Sequence, residues 1–241
     1  MRTALVTGAD RGLGLALSKE LADNGWRVFA GSYMTEWPEL GALAASRPDQ
    51  ITTIPIDIAS DESVRAAAGT VASNVGSLDL IVNNAAVISF AKDTRIHGHQ
   101  DYEDLMRVYN VNALGALRVV DAFLPLMDRS DFKRLCFVSS EAGSVERCER
   151  DAWFGYCMSK RALNMGVGLL FDALRPRDYT FRLYHPGWVR SYMSGKKNTD
   201  AELEPEEVAA VAIPYFVDPL PNAVDEDRLI MRDWLLREWP W

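Results

Sequence analysis

A short apolar run, Thr3-Ala4-Leu5-Val6-Thr7, breaks directly into Gly8, and Gly12 and Gly14 follow before a helical pattern begins. A run of this length and composition suits a strand buried on both faces of a parallel sheet. Beyond the loop, Leu13, Leu17 and Leu21 recur at helical spacing and Gly25 ends the pattern. The chain therefore passes from a buried strand into a helix through three glycines. Glycine permits a tight turn and a close backbone approach to a ligand, and the N–H groups at a helix start attract anions. An ordinary strand-to-helix turn accounts for any single glycine of the three. Together they point to a cradle for a pyrophosphate.

The rest of the chain repeats the same alternation. Apolar runs at 27–30, 51–56, 78–82, 135–139 and 180–184 read as strands, with a last short one at 228–231. Helical patterns occupy 12–24, 61–75, 104–127, 153–174 and 205–217, with Pro125 expected to bend or end the third of these early. This order predicts one parallel sheet of about seven strands with helices on both faces, joined by right-handed crossovers. No repeat, low-complexity tract or linker divides the 241 residues, so one domain is expected.

Charge and composition exclude several roles. The net charge is −8 with no long Lys/Arg run, which argues against a nucleic-acid partner. No apolar stretch is long enough to span a membrane, and the first strand begins too early for a signal peptide, so a cytoplasmic protein is expected. Cys136, Cys148 and Cys157 form no CxxC pair, which fits a reducing compartment. No metal site is expected, because His97 and His99 have no cysteine nearby to complete a ligand set.

Tyr156 and Lys160 stand four residues apart, on one face of the helix at 153–174. A free phenol ionises near pH 10, and a cation held nearby would bring it toward neutrality as a proton donor and acceptor. By itself the pair is a common helical spacing.

The glycine loop gives the pair a context. Its spacing is Gly-x-x-x-Gly-x-Gly, not the Gly-x-Gly-x-x-Gly usual for dinucleotide folds. Asn83-Asn84-Ala85-Ala86 follows the fourth strand, Asn112 precedes Gly115 by three residues, and Ser139-Ser140 ends the fifth strand. Tyr156 and Lys160 come next, then Pro186-Gly187-Trp188-Val189-Arg190-Ser191 after the sixth. In this order the motifs resemble the short-chain dehydrogenase/reductase family, in its compact single-domain branch near carbonyl reductases and C-factor-like proteins. Ala86 stands where that family has glycine, and Ser191 where threonine is more usual.

The resemblance implies a Rossmann-like doubly wound α/β fold over residues 1–241 and a catalytic tetrad of Asn112, Ser140, Tyr156 and Lys160. Asn110 competes with Asn112, but the Asn-x-x-Gly spacing favours Asn112. By this resemblance Tyr156 exchanges a proton with the carbonyl or alcohol oxygen and Ser140 hydrogen-bonds the same oxygen. Lys160 tunes Tyr156 and holds the nicotinamide ribose, and Asn112 anchors a water that links Lys160 to solvent. Cofactor contacts are expected from Gly8, Asp10, Arg11, Gly12, Leu13 and Gly14, from Asp57 and Ile58 beside the adenine, and from Asn84, Ala85 and Ala86. Pro186, Gly187, Trp188, Val189 and Ser191 are expected to lie beside the nicotinamide.

Cofactor choice rests on the end of the second strand. Gly31-Ser32-Tyr33 carries no carboxylate to bond a ribose 2′-hydroxyl, and Arg11 offers a cation for a 2′-phosphate, so NADP(H) is favoured. Arg11 as a plain surface charge is the alternative. Residues 191–204 correspond to the family's substrate loop, and Trp153, Phe154, Trp188 and Phe90 are candidates either for an apolar pocket or for packing. The charged stretch Glu146, Arg147, Glu149, Arg150 and Asp151 reads as a solvated loop or as the mouth of the site. The tail at 228–241 is too apolar to hang free, so it folds onto its own core or docks on another subunit. Relatives form homodimers or homotetramers, which sets the expected partner. The function expected is an NADP(H)-dependent oxidoreductase acting on a carbonyl or secondary alcohol; the alternative is a dinucleotide-binding regulator with incidental turnover.

Overall fold

The computed structural model describes residues 1–34, 36–219 and 226–241. Among them, eight strands form one sheet in the order β3-β2-β1-β4-β5-β6-β7-β8. These are β1 Thr3–Val6, β2 Arg27–Ser32, β3 Ile51–Pro55, β4 Leu80–Asn83, β5 Arg134–Val138, β6 Thr180–His185, β7 Met231–Asp233 and β8 Glu238–Trp239. All neighbours pair in parallel except β7 and β8. Alternate residues along each strand feed two cores. Leu5, Ile81, Leu135 and Phe137 face one layer, and Ala4, Val6, Leu80, Val82 and Cys136 face the other. Both faces are covered, which is why the strands read as continuous apolar runs.

The strand order reverses between β1 and β4, so the loops after these two strands diverge and leave a crevice at their carboxyl ends. The glycine loop leads from β1 into α1 (Gly12–Asp23) on one side, and Asn84 follows β4 on the other. Three further helices match the expected pattern closely, α3 Asp61–Ala72, α6 Phe154–Leu174 and α7 Pro205–Val217, while α5 spans Ala116–Met127.

Three departures bear on the site. A helix absent from the sequence reading, α2 Pro38–Ser46, follows β2; only Leu40 in it is buried, so its apolar periodicity is too faint to read. The single helix expected over 104–127 is three pieces. It starts as α4 Tyr102–Tyr109, capped by the Asp101 carboxylate, passes through a π-helical segment at Asn110–Gly115, and continues as α5. Pro125 lies within α5, two residues before its end, where few intrahelical bonds remain for it to break.

The third departure is at the C-terminus, where two strands replace the one expected at 228–231, making eight and not seven. The buried Asp233 carboxylate accepts from the amides of Leu235 and Arg237 and from the Arg237 guanidinium, which folds the chain back as a hairpin. Trp234 and Trp239 then meet the His185 ring edge-on at 5.3 and 5.1 Å. The tail thus turns back on its own sheet edge through Trp234 and Trp239, while Leu235, Leu236 and Trp241 stay exposed.

Candidate active site

The glycine loop is closed against the loop after β4. Gly8 has φ +65°, and a Cβ there would come within 2.9 Å of the Ala85 backbone. A Cβ at Gly14 would meet the Gly8 carbonyl oxygen at 2.0 Å, so only glycine fits. Asn84 donates its side-chain amide to the carbonyls of Thr7 and Gly8 at 3.0 and 3.1 Å. The Thr7 hydroxyl in turn accepts from the amides of Asn84 and Ala85. Asn84 and Ala85 thus hold the loop in shape. Leu13 sends its side chain into the core, and Ser191 faces Gly12 across the crevice.

At the end of β2 a carboxylate is present after all, reaching in from the glycine loop. Asp10 is buried and accepts from the Ser32 hydroxyl at 2.7 Å and from the amides of Tyr33 and Met34 at 3.0 Å. The Ser32 hydroxyl proton is committed to it. Arg11 extends the other way, its guanidinium 4.2 Å above the Trp37 ring and bonded to the Tyr192 carbonyl at 3.1 Å. Neither partner was readable from sequence, since one lies at the start of α2 and the other 181 residues away. A cavity of about 500 Å³ opens here, lined by Arg11, Met34, Trp37 and Gly195 together with Glu36 and Glu39. Asp57 accepts from the Ala59 amide in a tight turn. The Ile58 side chain is buried under Gly115.

Tyr156 and Lys160 lie on one turn of α6, with the ammonium 5.8 Å from the phenol ring centre. Lys160 is 2% exposed and donates to the Val138 carbonyl at the end of β5, at 2.9 Å. Burial pushes its ammonium down to about 8. Burial and, next, the Glu141 carboxylate push the Tyr156 phenol above its ordinary value, and the Ser140 hydroxyl beside it pulls the other way. The phenol therefore does not show the downward shift expected from Lys160: burial dominates, and a carboxylate that carries no spacing signal in the sequence adds to it. Glu141 follows Ser140 directly and accepts its hydroxyl proton. Its other oxygen is held by Arg150. Burial raises the Glu141 carboxyl, but the bonds from Ser140 and Arg150 bring it below the usual glutamate range.

Asn112 and Asn110 point to different places. The Asn112 amide is fully used, accepting from the Val87 amide at 2.8 Å and donating to the Val87 carbonyl and the Ser159 hydroxyl at 2.9 Å. It ties the π segment to α6. Asn110 instead bonds Ala59 and Arg118, toward α3. Among the aromatic candidates, Trp153 meets the Tyr156 ring edge-on at 5.9 Å. Its backbone is left-handed at φ 63°, and its indole N–H donates to Asp93. Phe90 is 86% exposed and stacks on Arg107, and Trp188 is 57% exposed. Pro186 and Gly187 follow β6 as half-buried residues, and Val189 is buried through a bridge to Leu203.

The family model for short chain dehydrogenases matches residues 2–202. The chain belongs to that family. Its members listed among known proteins include a 1-hydroxy-2-glutathionyl-2-methyl-3-butene dehydrogenase of Rhodococcus sp. strain AD45. That relative is 32% identical over 215 residues, 87% of this chain and 88% of its own. The C-signal protein of Myxococcus xanthus is 38% identical over 130 residues, 53% of this chain and 76% of that one. An NADPH-bound carbonyl reductase from chicken fatty liver has the same fold, with a TM-score of 0.88 at 25% identity over 100% of this chain and 99% of that one. The short-chain dehydrogenase assignment makes this chain an alcohol or carbonyl oxidoreductase that uses a nicotinamide dinucleotide. The crevice fits such a group, because no side chain caps the start of α1 and its first amides remain for an anion.

Proposed function

We propose that this chain is an NADP(H)-dependent carbonyl reductase in which Tyr156 is the general acid/base. What supports the reading is one juxtaposition: Tyr156 and Lys160 share a face of α6, Ser140 stands beside the phenol, and the glycine crevice opens at the same end of the sheet. The bound nicotinamide supplies or accepts hydride. The phenol of Tyr156 is protonated at neutral pH and so has a proton to give to a carbonyl oxygen as negative charge develops there. Ser140 orients the product alcohol by accepting a hydrogen bond from its hydroxyl. Lys160, buried and charged at neutral pH, holds the ribose and supplies the proton that Tyr156 gives up. Asn112, whose side chain ties the π segment to α6, anchors the water that links Lys160 to solvent.

NADP(H) is favoured over NAD(H) because the Arg11 guanidinium lines the cavity beside β2. Glu36 and Glu39 line the same cavity, so rates with the two cofactors are the deciding measurement. The exposed side chains Met106, Leu117, Met165 and Leu169 on α4, α5 and α6 support docking of a second copy of this chain. Three free cysteines support a reducing, cytoplasmic location. One observation favours the second reading, a dinucleotide-binding regulator: the Ser140 proton is committed to Glu141.

One panel tests both. Carbonyls of varied size are offered with NADPH and NADH to the wild type, Tyr156→Phe and Arg11→Ala. Turnover with some carbonyl is expected, reduced about 10²–10⁴-fold in Tyr156→Phe. NADPH is expected to be the better cofactor, with Arg11→Ala erasing the preference. Equal turnover by Tyr156→Phe sinks the catalytic reading, and faster turnover with NADH sinks the cofactor assignment.

A further inference from the structure

Glu141 opens the 3-10 turn after β5, and its carboxylate joins two parts of the site that the reaction itself does not require to meet. One oxygen takes the Ser140 hydroxyl proton, and the other takes the Arg150 guanidinium. Arg150 stacks 4.7 Å above the Trp153 ring, whose edge meets Tyr156. A serine hydroxyl has one proton and two lone pairs. The Ser140 proton goes to Glu141, and one lone pair accepts the Ala142 amide at 3.1 Å. The remaining lone pair can only accept. Ser140 is thereby aimed to receive a hydroxyl proton, from Tyr156 or from a product alcohol, and cannot donate without giving up Glu141.

We propose that Glu141, clamped by Arg150, is a positioning residue that fixes the Ser140 hydroxyl as an acceptor and sets negative charge beside Tyr156, so that the phenol keeps its proton. The proposal rests on the reading of Tyr156 as the acid/base. The ionisable groups around the phenol are few. Lys160 and Cys157 come from α6, Glu141 from the turn after β5, and Arg150 and Cys148 from the loop before α6. Lys92 and Asp93 reach Trp153 from the loop after β4, and His185 of β6 faces Glu141. Within this set Glu141 supplies the negative charge that acts on the phenol, in the same direction as burial. Arg150 moderates it.

The test is the pH profile of kcat for alcohol oxidation, measured on the wild type, Glu141→Gln, Glu141→Asp, Arg150→Gln and Tyr156→Phe with one substrate pair. Oxidation needs the ionised phenol, so kcat rises with pH through the ionisation of Tyr156. Removing the negative charge in Glu141→Gln is expected to move the rise to lower pH by about one unit, a tenfold gain at fixed pH on the limb. Removing the guanidinium in Arg150→Gln is expected to move it to higher pH, and Glu141→Asp to restore the wild-type profile. Opposite displacements are what a merely structural pair does not produce. Superimposable profiles, or losses of rate without displacement, overturn the proposal while leaving Tyr156 catalytic. Undiminished turnover in Tyr156→Phe, or no turnover in any variant, overturns the underlying reading and the proposal with it. Should Glu141→Gln not fold, the upward displacement in Arg150→Gln still decides, and an unmoved profile there refutes the role of Glu141.

Discussion

Lys160 is the most exacting place to test the physical account, because its burial sets a stability against pH that can be worked out in advance. An ammonium whose ionisation falls from 10.5 to about 8 on folding loses about 3 kcal/mol of folding stability wherever it stays charged in both states. The sign follows from proton counting. Between about pH 8 and 10.5 the folded chain has released this proton and the unfolded chain still holds it, so stability rises with pH through that window. Below about pH 8 the full cost is present. Lys160→Met removes the cost but leaves the Val138 carbonyl without this donor, a loss of about 1–3 kcal/mol that does not vary with pH. At neutral pH the two nearly cancel. The stability of the variant minus that of the wild type should therefore fall by about 3 kcal/mol from pH 7 to pH 10.5. Urea unfolding at a series of pH values and a fixed protein concentration reads this difference, in which all other titrations cancel. A difference that stays flat across the series refutes the buried-ammonium account of Lys160, whatever the variant does to activity.

Two further predictions probe the crevice and the outer face. Gly14→Ala places a methyl 2.0 Å from the Gly8 carbonyl, so the loop must shift; a loss of about 1–3 kcal/mol and at least tenfold weaker NADPH binding are expected by thermal melts and fluorescence titration. Gly41→Ala in α2, with nothing within 4 Å, is the control and should be neutral or stabilising by up to about 1 kcal/mol. Leu169→Asp on the exposed face of α6 should lower the solution mass measured by light scattering; an unchanged mass removes that face from any subunit contact.

What was legible in the sequence was whatever repeats with a period or is fixed by backbone sterics. The buried strands announced themselves as apolar runs because both faces of the sheet are covered, and Gly8 and Gly14 stand where a Cβ has no room. The Tyr156–Lys160 spacing could be read because α6 is regular from Phe154 through Leu174. What escaped was made by contacts between distant parts of the chain. Trp37 and Tyr192 meet Arg11 only through the fold, and the Asp10 carboxylate reaches Ser32 across 22 positions. The π segment has no distinct periodicity of its own, so α4 and α5 read as one helix. Glu141 was overlooked for a different reason, since a lone carboxylate next to a serine carries no spacing signal. Its role appears only once Arg150 is seen on its other side.

The directions of the two ionisations on α6 carry a consequence for the proposed reaction. Burial alone pushes a phenol up and an ammonium down, so the two groups move apart in proton affinity and not together. A Tyr156 that has just given its proton to a carbonyl oxygen is a strong base beside Lys160, whose ammonium ionises at about 8. Return of a proton from Lys160 to Tyr156 then runs downhill, and the lysine recovers its own from solvent near neutral pH. In the oxidative direction the same step runs uphill, because Tyr156 must lose its proton before it can accept one from an alcohol. Glu141 steepens that slope and Arg150 moderates it, so the site as built disfavours removal of the Tyr156 proton at neutral pH.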